Sequence, residues 1–112
     1  MNPADMAERG LAPGDVVEIA SRRGQCLAVA EPCPGLRPRV VQLATGAWYS
    51  APGGPGSLER NGNPNGLTPD HGTSRLAQGP SPNSCLVEIR AFGGTAPDAE
   101  AYEAPAFSDL AG

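Results

Sequence analysis

Residues 61 to 80, Asn-Gly-Asn-Pro-Asn-Gly-Leu-Thr-Pro-Asp-His-Gly-Thr-Ser-Arg-Leu-Ala-Gln-Gly-Pro, concentrate neutral hydrogen-bonding side chains. Asn61, Asn63, Asn65 and Gln78 each carry a donor pair and an acceptor oxygen. Thr68, Thr73 and Ser74 add hydroxyls, and Leu67, Leu76 and Ala77 are the only apolar side chains apart from the prolines. Such a set suits recognition of a polar, planar, mostly neutral ligand edge rather than bond making. The same residues also make Asx-turns in solvated loops, and the residue types alone leave both readings open. For nucleophilic catalysis the chain offers Cys33 or Ser74 with His71, its only histidine, and no nucleophile elbow. His71 reads as a turn residue.

Charge and cysteine use narrow the chemistry further. All eight basic residues are Arg, so a Walker-type phosphate loop and a Schiff-base lysine are excluded. A net charge of −4 and few aromatic residues argue against a nucleic-acid platform. Arg22-Arg23 and Arg37-Pro-Arg39 read as surface charge. Cys26, Cys33 and Cys85 form no Cys-x-x-Cys pair and do not match a structural zinc site. Cys26 and Cys85 sit in apolar runs, as buried thiols do, whereas Cys33 lies in a Pro-rich turn. The N-terminus lacks the basic region and apolar core of a signal peptide, and no apolar run approaches a membrane span. The expectation is a soluble chain with no membrane or nucleic-acid partner.

The elements that must position the polar loop are few. The 112 residues suit one domain, but Val, Leu, Ile and Phe together fill only 19 positions, against 28 for Gly and Pro. A thin core with much irregular chain follows, and such a domain leans on a larger partner. Asn2 as cap, Pro3 at the first position and Gly10 as stop predict a helix over 3 to 9, with Met6 inward and Glu8 outward. Pro13-Gly14 centres a tight turn. Strands are predicted over 16 to 21 and 25 to 31, joined by a hairpin turn at Arg22-Arg23-Gly24. A third strand is predicted over 39 to 43 and a fourth over 84 to 92, with Cys85, Val87 and Ile89 on one face. Between them, residues 44 to 83 show almost no periodicity, which marks a functional or disordered loop. Thr73 or Ser74 could cap a short helix through Gln78 there. Residues 96 to 112 read as an extended tail, with Tyr102 and Phe107 able to pin it to a surface. The whole is a mainly β barrel or sandwich.

Several runs carry a resemblance. Asn-Pro-Ala-Asp-Met-Ala-Glu-Arg-Gly-Leu-Ala-Pro-Gly-Asp-Val-Val at 2 to 17 resembles the molybdopterin-guanine-dinucleotide-binding domain of molybdenum oxidoreductases. Arg23-Gly24-Gln25, Val41-Gln-Leu-Ala-Thr-Gly-Ala-Trp-Tyr49, Gly62-Asn-Pro-Asn65 and Gly72-Thr-Ser-Arg-Leu-Ala-Gln-Gly-Pro80 continue it. These motifs are similar to the dimethyl sulfoxide, trimethylamine N-oxide and biotin sulfoxide reductase branch, over about residues 1 to 95. The sequence departs from the family pattern at Asn61, where His or Tyr is common.

The resemblance implies a double-psi β-barrel of the aspartate decarboxylase-like kind, incomplete at the N-terminus because the family domain begins a few tens of residues earlier. It implies a C-terminal domain or fragment, residues 1–95, that covers molybdenum bis(molybdopterin guanine dinucleotide) within a soluble bacterial reductase of cytoplasm or periplasm. Residue by residue it places Thr45, Gly46, Trp48, Asn63, Asn65, Thr73, Ser74 and Gln78 near the cofactor. No residue here matches the molybdenum ligand, so the chain alone is expected to be inactive. Its implied partners are the remaining domains of the parent enzyme. A strand left unpaired by truncation, at 16 to 21 or 84 to 92, predicts self-association. A stand-alone binding or accessory protein on the same barrel, and a small hydrolase, are the alternative functions.

Overall fold

The computed structural model describes residues 1–79, 81, 83–98 and 100–103. Helix α1 spans Pro3–Glu8, and Asn2 caps it by accepting the Ala4 N–H at 2.8 Å. Gly10 ends it at φ +64°, a left-handed conformation open to glycine without a Cβ penalty. Met6 is buried and Glu8 exposed, as their spacing predicts. The Pro13-Gly14 turn closes with Gly14 at φ +89° and Asp15 N–H donating to Ala12 O at 3.1 Å.

Strands β1 (Val16–Ala20) and β2 (Gln25–Val29) pair antiparallel across the short hairpin, closed by Ser21 N–H to Gly24 O at 2.9 Å. β3 (Leu58–Glu59) adds to β2 in parallel, and β4 (Glu88–Ala91) adds to β1 antiparallel. The sheet order is β3-β2-β1-β4, so β1 is central and β4 and β3 are the edges. The result is an open, strand-rich sheet with one short helix among the described residues.

The register brings Ile19 beside both Cys26 and Ile89. That face packs against Met6, Leu11, Ala30 and Leu67 to form the core. The core is small, and an opening of about 470 Å³ borders the same face beside Val17, Ile19, Leu43 and Ile89. On the opposite face Glu18 accepts a 2.8 Å hydrogen bond from Arg90 across the strands. No described helix is long and apolar enough to cross a membrane.

Three expectations are corrected. Residues 39 to 43 do not form a strand. Arg39 sits at φ +66°, and its N–H donates to Asp5 Oδ2 at 2.6 Å instead of to a ladder. Val40 and Val41 are therefore exposed rather than packed. Of the two apolar runs expected to hold a free edge, β1 holds none, since it is paired on both sides. The third concerns residues 73 to 78, described with the site below. The fourth strand is regular only over 88–91, although Cys85, Val87 and Ile89 keep to the half-buried side while Leu86, Glu88 and Arg90 are exposed. The chain beyond β4 returns to the loop before β3 through Trp48 N–H to Ala101 O at 2.8 Å. Tyr102 is 80% exposed, and Phe107 lies outside the described residues.

Candidate functional site

The polar loop is built around a residue that composition hides. β3 places Glu59 beside Cys26 in the parallel register, and its side chain is only 1% exposed. Burying a carboxylate is costly unless hydrogen bonds replace water. Here backbone groups do so: Oε1 accepts from Ser50 N–H at 3.1 Å and Asn61 N–H at 2.9 Å, and Oε2 accepts from Asn63 N–H at 2.7 Å. Arg60 N–H returns a bond to Ser50 O at 2.8 Å.

The asparagines then zip this turn to the segment before it. Asn61 Nδ2 donates to Trp48 O, and Asn63 Nδ2 donates to Ala47 O, both at 2.9 Å. Asn63 Oδ1 accepts the Asn65 N–H at 2.9 Å and so caps a 3₁₀ turn over Pro64–Gly66. Pro64 at the first position of that turn has no N–H to lose. Leu67 enters the core, and its carbonyl accepts from Ser21 Oγ at 2.8 Å and Cys85 Sγ at 3.1 Å. Arg23 Nη1 donates to Thr68 O at 2.7 Å. The Asn63–Asn65 turn is thereby fixed to the hairpin, to β2 and to the run leading into β4.

Asn63 is nearly buried, and its amide is engaged within the fold at both ends. The exposed Asn65 side chain makes no hydrogen bond to another described residue, and it faces an opening of about 170 Å³ shared with Arg23, Gln25 and the Tyr49 ring. Trp48 is 49% exposed, and Thr45 and Gly46 are exposed on the approach to it.

Thr73, Ser74 and Gln78 form a second group. Residues 73 to 78 do not form a helix. The hydroxyls of Thr73 and Ser74 both donate to Ala77 O, at 3.1 and 2.9 Å. Ala77 N–H donates back to Ser74 Oγ at 2.8 Å, and Gln78 Nε2 donates to Ser74 O at 2.8 Å. These side-chain bonds offer the backbone an alternative to the helix ladder. The loop is exposed, and among described residues no hydrogen bond joins it to the Asn61–Asn65 turn. The fold thus joins Asn63 directly to Asn65, ties Trp48 to the same turn through Asn61, and carries Thr73, Ser74 and Gln78 on a separate stretch of loop.

Sequence reasoning missed Glu59. A lone acid in a polar loop reads as solvated. The available signal was the run of backbone N–H groups at Asn61-Gly62-Asn63, which needs acceptors when buried. The hydrolase constellation is not assembled: Ser74 Oγ is engaged with Ala77, His71 Nδ1 lies 3.4 Å from Gly72 O, and Cys33 lies in the loop after β2. Burial first, and the Glu59 charge second, push the Cys26 thiol up to about 12, so it is a neutral packing group.

A family model described as the molydopterin dinucleotide binding domain matches residues 1–86, and the chain belongs to that family. It is 45% identical over 109 residues to the trimethylamine-N-oxide reductase of Haemophilus influenzae, a match covering 94% of this chain and 13% of that protein. It is 42% identical over 99 residues to the biotin sulfoxide reductase of Cereibacter sphaeroides, covering 88% of this chain and 13% of the relative. The dimethyl sulfoxide/trimethylamine N-oxide reductase of the same organism is 36% identical over 107 residues. The chain therefore spans about an eighth of the length of the curated relatives it matches.

Proposed function

We propose that this chain holds the heterocyclic portions of a molybdopterin guanine dinucleotide within a molybdenum-dependent S-oxide or N-oxide reductase. The observation that carries the reading is the Asn65 amide, presented at an opening by a turn in which the neighbouring Asn63 amide is already paired within the fold. Guanine and pterin edges are fused donor and acceptor arrays that an amide can meet bidentately. The lining fits: Asn65 and Gln25 are neutral amides, Tyr49 is aromatic, and the Glu59 oxygens are turned to backbone N–H groups. Of the eight residues that the family resemblance points to, Asn65 alone lines this opening; Thr45, Gly46, Trp48, Asn63, Thr73, Ser74 and Gln78 are assigned to the cofactor on that resemblance. When bound, the molybdenum centre supplies the two-electron reduction of substrate, while residues of this chain bind and orient the dinucleotide.

The opening at Asn65 admits one heterocycle edge, not a whole dinucleotide, so the remaining domains of the parent enzyme complete the site. The thinly covered sheet face agrees with a domain that leans on others, and the four strands are read as part of a double-psi β-barrel. In the intact reductase, Asn65→Ala or Gln78→Ala should each weaken dinucleotide binding by about 1–3 kcal/mol through unpaired polar groups. Gln78→Glu should cost more wherever that side chain faces an acceptor. Cofactor content and turnover are measured together on the purified variants, and full retention of both in the two alanine variants rejects these assignments.

The isolated chain is also proposed to self-associate through β4, which is paired on one side only among the described residues. Sedimentation across a concentration series should show oligomers. A monodisperse monomer at every concentration would remove this reading.

A further inference from the structure

We propose that Glu59 is the positioning residue of the ligand cradle, the group that holds the Asn63–Asn65 turn against the Trp48 segment. This rests on the reading of that turn as the cradle. Three backbone N–H groups from two separate stretches, Ser50 on one side and Asn61 and Asn63 on the other, converge on one carboxylate. None of the three donates to a backbone carbonyl of the sheet, so the carboxylate takes the place that a ladder would occupy. The Glu59 side chain is 1% exposed and forms no ion pair with a described residue. Its contacts therefore go into fixing backbone positions rather than into a surface charge pair.

The consequence for the ligand is geometric. The Asn63 N–H bond to Glu59 fixes the residue whose Oδ1 accepts from Asn65 N–H, and Asn65 in turn presents its amide to the opening. The Ser50 bond fixes the chain next to Trp48 and Tyr49. One carboxylate thus ties together the two stretches that bring Asn65 and Tyr49 to the lining of one cleft.

Glu59→Gln tests this with almost no change of shape. A glutamine keeps one acceptor oxygen and turns an NH₂ group toward at least one of the three N–H donors. Whichever way the amide lies, either Asn63 or the Ser50 and Asn61 pair loses its acceptor. In the wild-type chain the amides of Ser50, Asn61 and Asn63 should exchange with solvent at least about tenfold more slowly than the exposed Gly53 amide. Fast exchange at all three would overturn the proposal before any variant is made.

In Glu59→Gln, exchange at the released amides should rise about tenfold, while the β1–β2 ladder amides stay within about threefold of wild type. Guanosine diphosphate is the ligand probe, titrated into both chains by calorimetry, and its affinity should fall about tenfold in the variant. A purely structural Glu59 would instead speed the ladder amides together with the turn, and that result rejects positioning. Faster exchange in the turn with unchanged probe affinity rejects it as well. Absence of guanosine diphosphate binding by the wild-type chain counts against the functional reading, and the exchange pattern alone then decides what Glu59 holds.

Discussion

Gly62→Ala is expected to destabilise the chain by about 1–3 kcal/mol and to release the Asn63–Asn65 turn from the sheet. Gly62 sits at φ +75°, where an L side chain is strained whatever space surrounds it. A Cβ there would also lie 3.1 Å from the Leu27 carbonyl, and backbone cannot swing aside as a flexible side chain would. Relief requires the turn to move away from β2, which pulls Asn61 and Asn63 off the Glu59 carboxylate. Gly35→Ala is the control, because nothing lies within 4 Å of its Cβ position. Urea unfolding midpoints should drop for Gly62→Ala and barely change for Gly35→Ala. Equal midpoints for Gly62→Ala and the wild-type chain would show that the turn tolerates a side chain there.

Gly24 marks the other end of the same clamp. Its Cβ would meet the Gly66 carbonyl at 2.9 Å, so the hairpin and the 3₁₀ turn approach each other through two glycines. Neither approach was legible in the sequence, where both residues read simply as turn formers. What was legible was local. Asn2-Pro3 and Gly10 mark the ends of α1, and the alternation of Val17 and Ile19 marks β1 because one face of that strand is buried. The third strand failed for an equally physical reason. Val40 and Val41 have strand-forming side chains, yet the Arg39 N–H is drawn to Asp5 from 34 residues away. β3 was invisible because two residues carry no alternation and its parallel partner is distant in sequence.

The candidate site divides along the same line. Its residue types and motif order led to the family, which the match over residues 1–86 shows. The roles within it needed coordinates. Asn63 and Asn65 look equivalent in Asn-Gly-Asn-Pro-Asn, but only the structure separates an amide engaged with Ala47 and Asn65 from one facing an opening. Glu59 escaped notice because acids are almost never fully buried, and nothing in Leu-Glu-Arg announces the exception.

Alkaline titration should remove the stability that the buried Cys26 thiol contributes. The thiol is pushed from an ordinary value of 9.0 up to about 12, by burial first and by the Glu59 charge second. An unfolded chain therefore releases this proton from about pH 9, while the folded chain holds it to about pH 12. Within that window the unfolded state binds fewer protons, so stability falls as pH rises. The contribution is fully present below pH 9 and is lost progressively toward pH 12. The slope is about 1.4 kcal/mol for each pH unit. Cys26→Ala lacks the group, whereas every other titrating residue remains in both proteins and cancels in the difference. Stability of the wild-type chain minus that of Cys26→Ala, from urea unfolding, should shrink by about 2 kcal/mol between about pH 9 and about pH 10.5. Glu59→Gln should soften the trend without abolishing it, because burial is the larger cause. Parallel stability curves for wild type and Cys26→Ala across that range would mean that the thiol titrates alike in both states, and that burial does not hold Cys26 protonated.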